Sequence, residues 1–136
     1  MVSGAWRVRL AALATAGGFV VVALGIRVLA GRGGALDGSG ALAQHSGTAL
    51  YAAMIYAGVF FLLPAAEPWV AGAAAIAFCW LVELLQLTGL PAELSERSLV
   101  ARLVLGVHFD ALDLVWYAIG VLPLVVLHAV LARHRR

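Results

Sequence analysis

Glu83 and Gln86 stand three residues apart inside the apolar run Ile76-Ala77-Phe78-Cys79-Trp80-Leu81-Val82-Glu83-Leu84-Leu85-Gln86-Leu87. At that spacing on a helix both side chains share one face. Glu83 lies four residues before Leu87, about 6 Å inside a helix end at a rise of about 1.5 Å per residue. A carboxylate at that depth in hydrocarbon costs a few kcal/mol unless it is paired or protonated. The chemistry open to it is proton exchange, the grip on a polar ligand, or a hydrogen bond that ties helices together.

Two further groups of polar residues interrupt apolar stretches. Gln44, His45, Ser46, Thr48 and Tyr51 cluster at the start of one run, while His108, Asp110, Asp113 and Tyr117 stand at the start of another. One of the two aspartates serves as a helix N-cap, accepting backbone N–H groups at the positive end of the helix dipole. The other is spare, and Asp113 with Tyr117 at i+4 turns inward if Trp116 faces lipid. A metal site of His45, His108 and an acid is a weak pattern, and no metal or other cofactor is expected. Cys79, the single cysteine, reads as packing. His128 and His134 read as headgroup or solvent contacts. The sequence contains no thiol pair, phosphate-cradling glycine loop or serine elbow.

The elements that hold these residues follow from composition. Of 136 residues 64% are hydrophobic and 12% charged, with mean hydropathy +1.02. That leaves too little polar surface to cover a soluble core, and it excludes a disordered chain, a nucleic-acid-binding module and a disulfide-stapled domain. A membrane-spanning helix needs about 20 apolar residues, and four runs qualify: about 10–30, 42–63, 68–87 and 113–132. No strict alternation marks them, so a barrel is excluded. The predicted fold is all-α: one polytopic membrane domain over residues 1–136, with four transmembrane helices. The first run resembles a leader peptide in its basic flank and its small residues near Ala30. Its length and the interrupting Arg27 favour a span.

Orientation is read from arginines, since the chain has no lysine. With both termini cytoplasmic, Arg7, Arg9, Arg133, Arg135 and Arg136 lie inside, and Arg27, Arg32, Arg97 and Arg102 outside. The expected location is the cytoplasmic membrane, multi-pass, with the polar clusters gathered in the outer leaflet. Gly31 to Gly40 reads as a flexible link. Residues of about 93–106 are too short to cross and form an interfacial or re-entrant segment. Trp6 and Trp69 read as interface anchors, and Gly17-Gly18 as a place of close helix contact.

Four stretches then combine. Gly47-Thr48-Ala49-Leu50-Tyr51-Ala52, Glu83-Leu84-Leu85-Gln86-Leu87, Leu103-Val104-Leu105-Gly106 and Asp113-Leu114-Val115-Trp116-Tyr117-Ala118-Ile119-Gly120 resemble the bacterial DUF 2809 family over residues of about 45–125. The layout is also similar to the VanZ-like family, associated with glycopeptide-antibiotic resistance. The resemblance implies a membrane protein of about four helices and assigns no activity. Thr48 stands where the family commonly has Asp, and Ala92 where a Trp tends to follow the loop proline, which shifts weight to Glu83 and Asp113.

The functional expectation is a binding protein. Glu83, Gln86, Asp113 and Tyr117, with Tyr51 and His45 nearby, form a polar pocket for a lipid headgroup or small polar ligand. The alternatives are an intramembrane enzyme on a lipid-linked substrate, with Glu83 as general acid/base, and an accessory subunit of a membrane complex. The partners expected are membrane lipids, not nucleic acid.

Overall fold

A computed structural model describes residues 2–32 and 40–135. Among these residues all the regular structure is helical, without strands. Six helices follow in order: α1 Val2–Arg32, α2 Ala41–Leu62, α3 Pro68–Gln86, α4 Leu90–Arg97, α5 Leu99–Leu105 and α6 Ala111–His134. Four of them, α1, α2, α3 and α6, are long and apolar enough to cross a membrane. Most of the link expected at 31–40 lies outside the described residues, as does Arg136.

Helix bounds differ from the apolar runs in a consistent way. Helix α1 begins eight residues earlier than its run, because Arg7 and Arg9 end hydrophobicity without breaking a helix. Helix α3 opens as the sequence predicts, with Pro68 in the first turn, where its missing N–H costs nothing. The polar connection divides into α4 and α5 at Ser98, whose extended backbone and side chain cap α5 through the Ala101 N–H at 3.3 Å. Helix α5 buries none of its residues and packs against α3 and α4.

Helices α2, α3 and α6 pack on one another, and α1 lies along α2. Their shared core is built from small and aromatic residues. It comprises Ala52, Tyr56 and Phe60 of α2, Ala71, Ala75 and Cys79 of α3, Tyr117 and Val121 of α6, and Ala12 of α1. In lipid, burying apolar surface between helices gains little, so close contact of small residues decides where helices meet. The tightest approach is at Gly120, where a Cβ would fall on the Ala49 carbonyl of α2. At Gly72 a Cβ would meet the Val125 side chain. Among the described residues the expected contact at Gly17-Gly18 is absent: a Cβ at either position would have no neighbour within 4 Å. Those glycines face away from α2, and a glycine pair tightens packing only where its face meets another helix.

Large apolar side chains cover the outside of the bundle, among them Val21, Leu29, Leu62 and Leu122. Such continuous apolar cover suits lipid and not water. At the end of the bundle remote from α4 and α5, Tyr56 Oη and His128 Nδ1 lie 3.0 Å apart, with Phe60 against the His128 ring. His128 thus joins α6 to α2, where the sequence reads as a headgroup contact.

Candidate functional site

Helix α3 buries the row Ala71, Ala75, Cys79, Glu83 at four-residue spacing, the period of one helix face. Glu83 ends that row with 1% of its surface exposed. Its carboxylate accepts two hydrogen bonds from the start of α6. The Asp110 N–H donates to Oε1 at 2.6 Å, and the Tyr117 hydroxyl donates to Oε2 at 2.8 Å. A buried carboxylate is tolerable here because the positive end of a helix faces it. Asp110 is the N-cap, its Oδ1 accepting from the Leu112 N–H at 2.9 Å and its Oδ2 from Gln44 Nε2 at 3.1 Å. Glu83 and Asp110 together therefore cap α6, one from across the bundle and one in place. Trp80 adds a further tie, donating to the Leu114 carbonyl at 3.0 Å.

Gln86, one turn beyond Glu83, works on the end of α5. A helix end leaves its last carbonyls without backbone partners. Three consecutive carbonyls there are met by side chains from three different helices. Tyr51 of α2 donates to Val104 at 2.8 Å, Gln86 of α3 to Leu105 at 2.6 Å, and Ser95 of α4 to Gly106 at 3.1 Å. Arg102 Nη2 in turn donates to the Ser95 carbonyl at 3.2 Å. Gly106 is required at this clasp on two counts: its φ is +66°, and a Cβ would stand 2.7 Å from Gln86 Nε2.

Between this clasp and the starts of α2 and α6 lies a cavity of about 300 Å³. Its polar lining comes from Arg27 of α1, Gln44, Thr48 and Tyr51 of α2, Gln86 of α3, His108, and Asp113 and Tyr117 of α6. The Thr48 hydroxyl is 3.1 Å from both Asp113 Oδ1 and the Gln44 carbonyl and donates to one at a time. Thr48 thus places a donor against Asp113. The second Asp113 oxygen takes no protein donor among the described residues, and Gln86 Oε1 is buried without a partner. Arg27 and Asp113 line the same cavity, yet no ion pair joins them among the described residues.

Of the six residues expected in a pocket, the structure brings Gln86, Asp113, Tyr117 and Tyr51 to one cavity. Glu83 sits behind it, reaching it only through Tyr117. His45 is elsewhere: its ring stacks on Trp116 with centroids 4.9 Å apart and planes 13° from parallel. Trp116 is thus covered by His45, though Tyr117 still points inward. Arg27 is the residue that sequence reading undervalues, as one more charge in the orientation count. Its signal is its position inside an apolar run, where an ionisable side chain is functional by default.

The family model described as "Protein of unknown function (DUF2809)" matches residues 38–121. That span holds α2 to α5 and the first half of α6, hence the whole lining of the cavity except Arg27. The VanZ-like layout is not shown by the comparisons. Neither the curated proteins nor the solved structures give a match.

Proposed function

Because the chain belongs to the DUF2809 family, whose description names no activity, we propose from its geometry alone that it is a membrane-embedded binding protein. Its ligand-binding site is the polar cavity between α1, α2, α3 and α6, and the ligand is a lipid headgroup or a small polar molecule. The observation that carries this reading is the pair of opposite charges, Arg27 and Asp113, lining one cavity of about 300 Å³ without pairing with each other. Arg27 is exposed at the edge of the cavity and Asp113 half-buried with one oxygen free, and a ligand that meets both gains a charge-assisted contact at each. By the arginine count, the cavity faces the outer leaflet.

Each of the expected site residues has a part in this reading. Asp113, Tyr51, Gln86 and Tyr117 wall the cavity, Glu83 holds Tyr117 and the start of α6, and His45 braces Trp116. An acid–base role for Glu83 has less support, since both its oxygens already accept hydrogen bonds.

The test is thermal unfolding of the purified protein in maltoside micelles, with and without glycerophosphoethanolamine as a soluble headgroup probe. Gly47 lines the cavity, and a Cβ there would meet only the Arg27 guanidinium, its Nη2 at 3.9 Å, so Gly47→Trp fills the site from the side of that flexible arginine. The probe should raise the midpoint of the parent protein and leave that of Gly47→Trp unchanged. Equal shifts in the two proteins, or none in either, would overturn the reading.

A further inference from the structure

The polar cavity continues into an apolar groove of about 200 Å³ between α1 and α2. Phe19, Val20, Ala23 and Leu24 form one side of the groove, and Leu50 and Met54 the other. Arg27, Gly47 and Tyr51 line both spaces and so form their junction. The groove descends from Arg27 to Phe19 on α1 and from Gly47 to Met54 on α2. At about 1.5 Å per residue that is roughly 10–12 Å toward the middle of the spans. An acyl chain attached to a group at the junction would take that direction.

The groups along the path are ordered. First comes the apolar groove, then Arg27 at the junction, and then Asp113, Gln44 and Gln86, which line the polar cavity alone. A guanidinium is suited to grip a phosphate with two parallel hydrogen bonds. Beyond it the lining offers an acceptor in need of a donor, the free Asp113 oxygen. An ammonium group carrying N–H donors satisfies it and matches its charge, whereas a quaternary ammonium has no donor and a neutral glycerol no charge.

Resting on the binding reading above, we propose that the occupant is a phospholipid of the phosphatidylethanolamine class. One acyl chain lies in the α1–α2 groove, the phosphate is on Arg27, and the ammonium is against Asp113. The order of chain, phosphate and amine along the lipid matches the order of groove, arginine and carboxylate along the protein.

Native mass spectrometry tests this on the full chain, reconstituted in vesicles with equal parts phosphatidylethanolamine, phosphatidylglycerol and phosphatidylcholine and then extracted in mild detergent. The parent protein should retain one phosphatidylethanolamine, in preference to the other two by about tenfold, the scale of one charge-assisted hydrogen bond. Arg27→Gln should lower retention of phospholipid by about tenfold or more. Asp113→Asn should keep a bound phospholipid but lose the preference. Ala23→Trp fills the groove and should abolish lipid retention while leaving the thermal shift by glycerophosphoethanolamine intact, which guards against a merely misfolded variant. Retention of all three lipids alike and unmoved by Arg27→Gln would mean annular lipid only and overturn the proposal. A thermal shift by the soluble probe with no phospholipid retained would also overturn it, leaving the cavity as a site for a free solute. If neither probe nor lipid binds, the binding reading fails too.

Discussion

Replacing Glu83 separates a carboxylate that holds helices together from one that is dispensable to the fold. Glu83→Leu would leave the Asp110 N–H and the Tyr117 hydroxyl without acceptors inside the bundle. An unmet buried donor costs about 1–3 kcal/mol. Interhelical hydrogen bonds in membranes measure less, averaging about 0.6 and reaching about 1.7 kcal/mol, because the unfolded chain in lipid also finds partners. Two such bonds therefore place the loss between about 1 and 4 kcal/mol. Glu83→Gln retains one acceptor oxygen for the Asp110 N–H, and the Tyr117 hydroxyl can turn to accept from the new amide. Its loss should be about 1 kcal/mol or less, well short of that of leucine. The assay is reversible unfolding in mixed detergent micelles at rising dodecyl sulfate, followed by far-ultraviolet circular dichroism. Tyr117→Phe completes a double-mutant cycle with Glu83→Leu, and the two losses should be non-additive by about 0.6–1.7 kcal/mol. A loss under about 0.5 kcal/mol for leucine, strict additivity, or glutamine costing as much as leucine would refute the reasoning.

Other substitutions probe the contacts that position the site. Gly120→Ala sets a methyl group on the Ala49 carbonyl and should cost about 1–3 kcal/mol in the same unfolding assay as α2 and α6 part, whereas Gly17→Ala, with open space around it, should stay within about 0.5 kcal/mol of the parent. Gly106→Ala meets both a positive φ and the Gln86 amide, and should destabilise by about 1–2 kcal/mol and raise proteolysis between residues 98 and 110. Tyr56→Phe removes the hydroxyl facing His128 Nδ1. It should cost about 0.6 kcal/mol without altering the thermal shift by glycerophosphoethanolamine, since the pair lies at the other end of the bundle.

The spans and the class of fold were legible because about 20 apolar residues in succession have few physical alternatives. The same rule marks where a helix lies in hydrocarbon, not where it ends, and α1 accordingly runs on through Arg7 and Arg9. Polar residues inside apolar runs pointed to Glu83, Gln86, Asp113 and Tyr117, because their misplacement in lipid is itself the signal. Their division into cavity wall and support was hidden. Whether Glu83 faces the cavity or the N–H of Asp110 depends on how α6 is rotated against α3, which no single-helix pattern encodes. The glycines show the same limit: Gly17-Gly18 looks like a contact in sequence, but a Cβ there meets nothing within 4 Å, whereas at Gly120 and Gly72 it would overlap a neighbouring helix. The family-like stretches were informative in combination. Tyr51, Gln86, Gly106 and Tyr117 come from four separate stretches, and all four line one cavity.

The gathering of these stretches is tested most directly by disulfide cross-linking of α2 to α6. Thr48 Oγ1 and Asp113 Oδ1 lie 3.1 Å apart, so cysteines at 48 and 113, in a chain with Cys79→Ala, are near enough for a short bifunctional thiosulfonate to bridge in native membranes. The expected result is an intramolecular bridge in most of the protein, with neither thiol open to a lipid-soluble maleimide afterwards. Two thiols that stay free and react separately with that reagent would place the side chains on different flanks of the bundle and contradict the cavity itself.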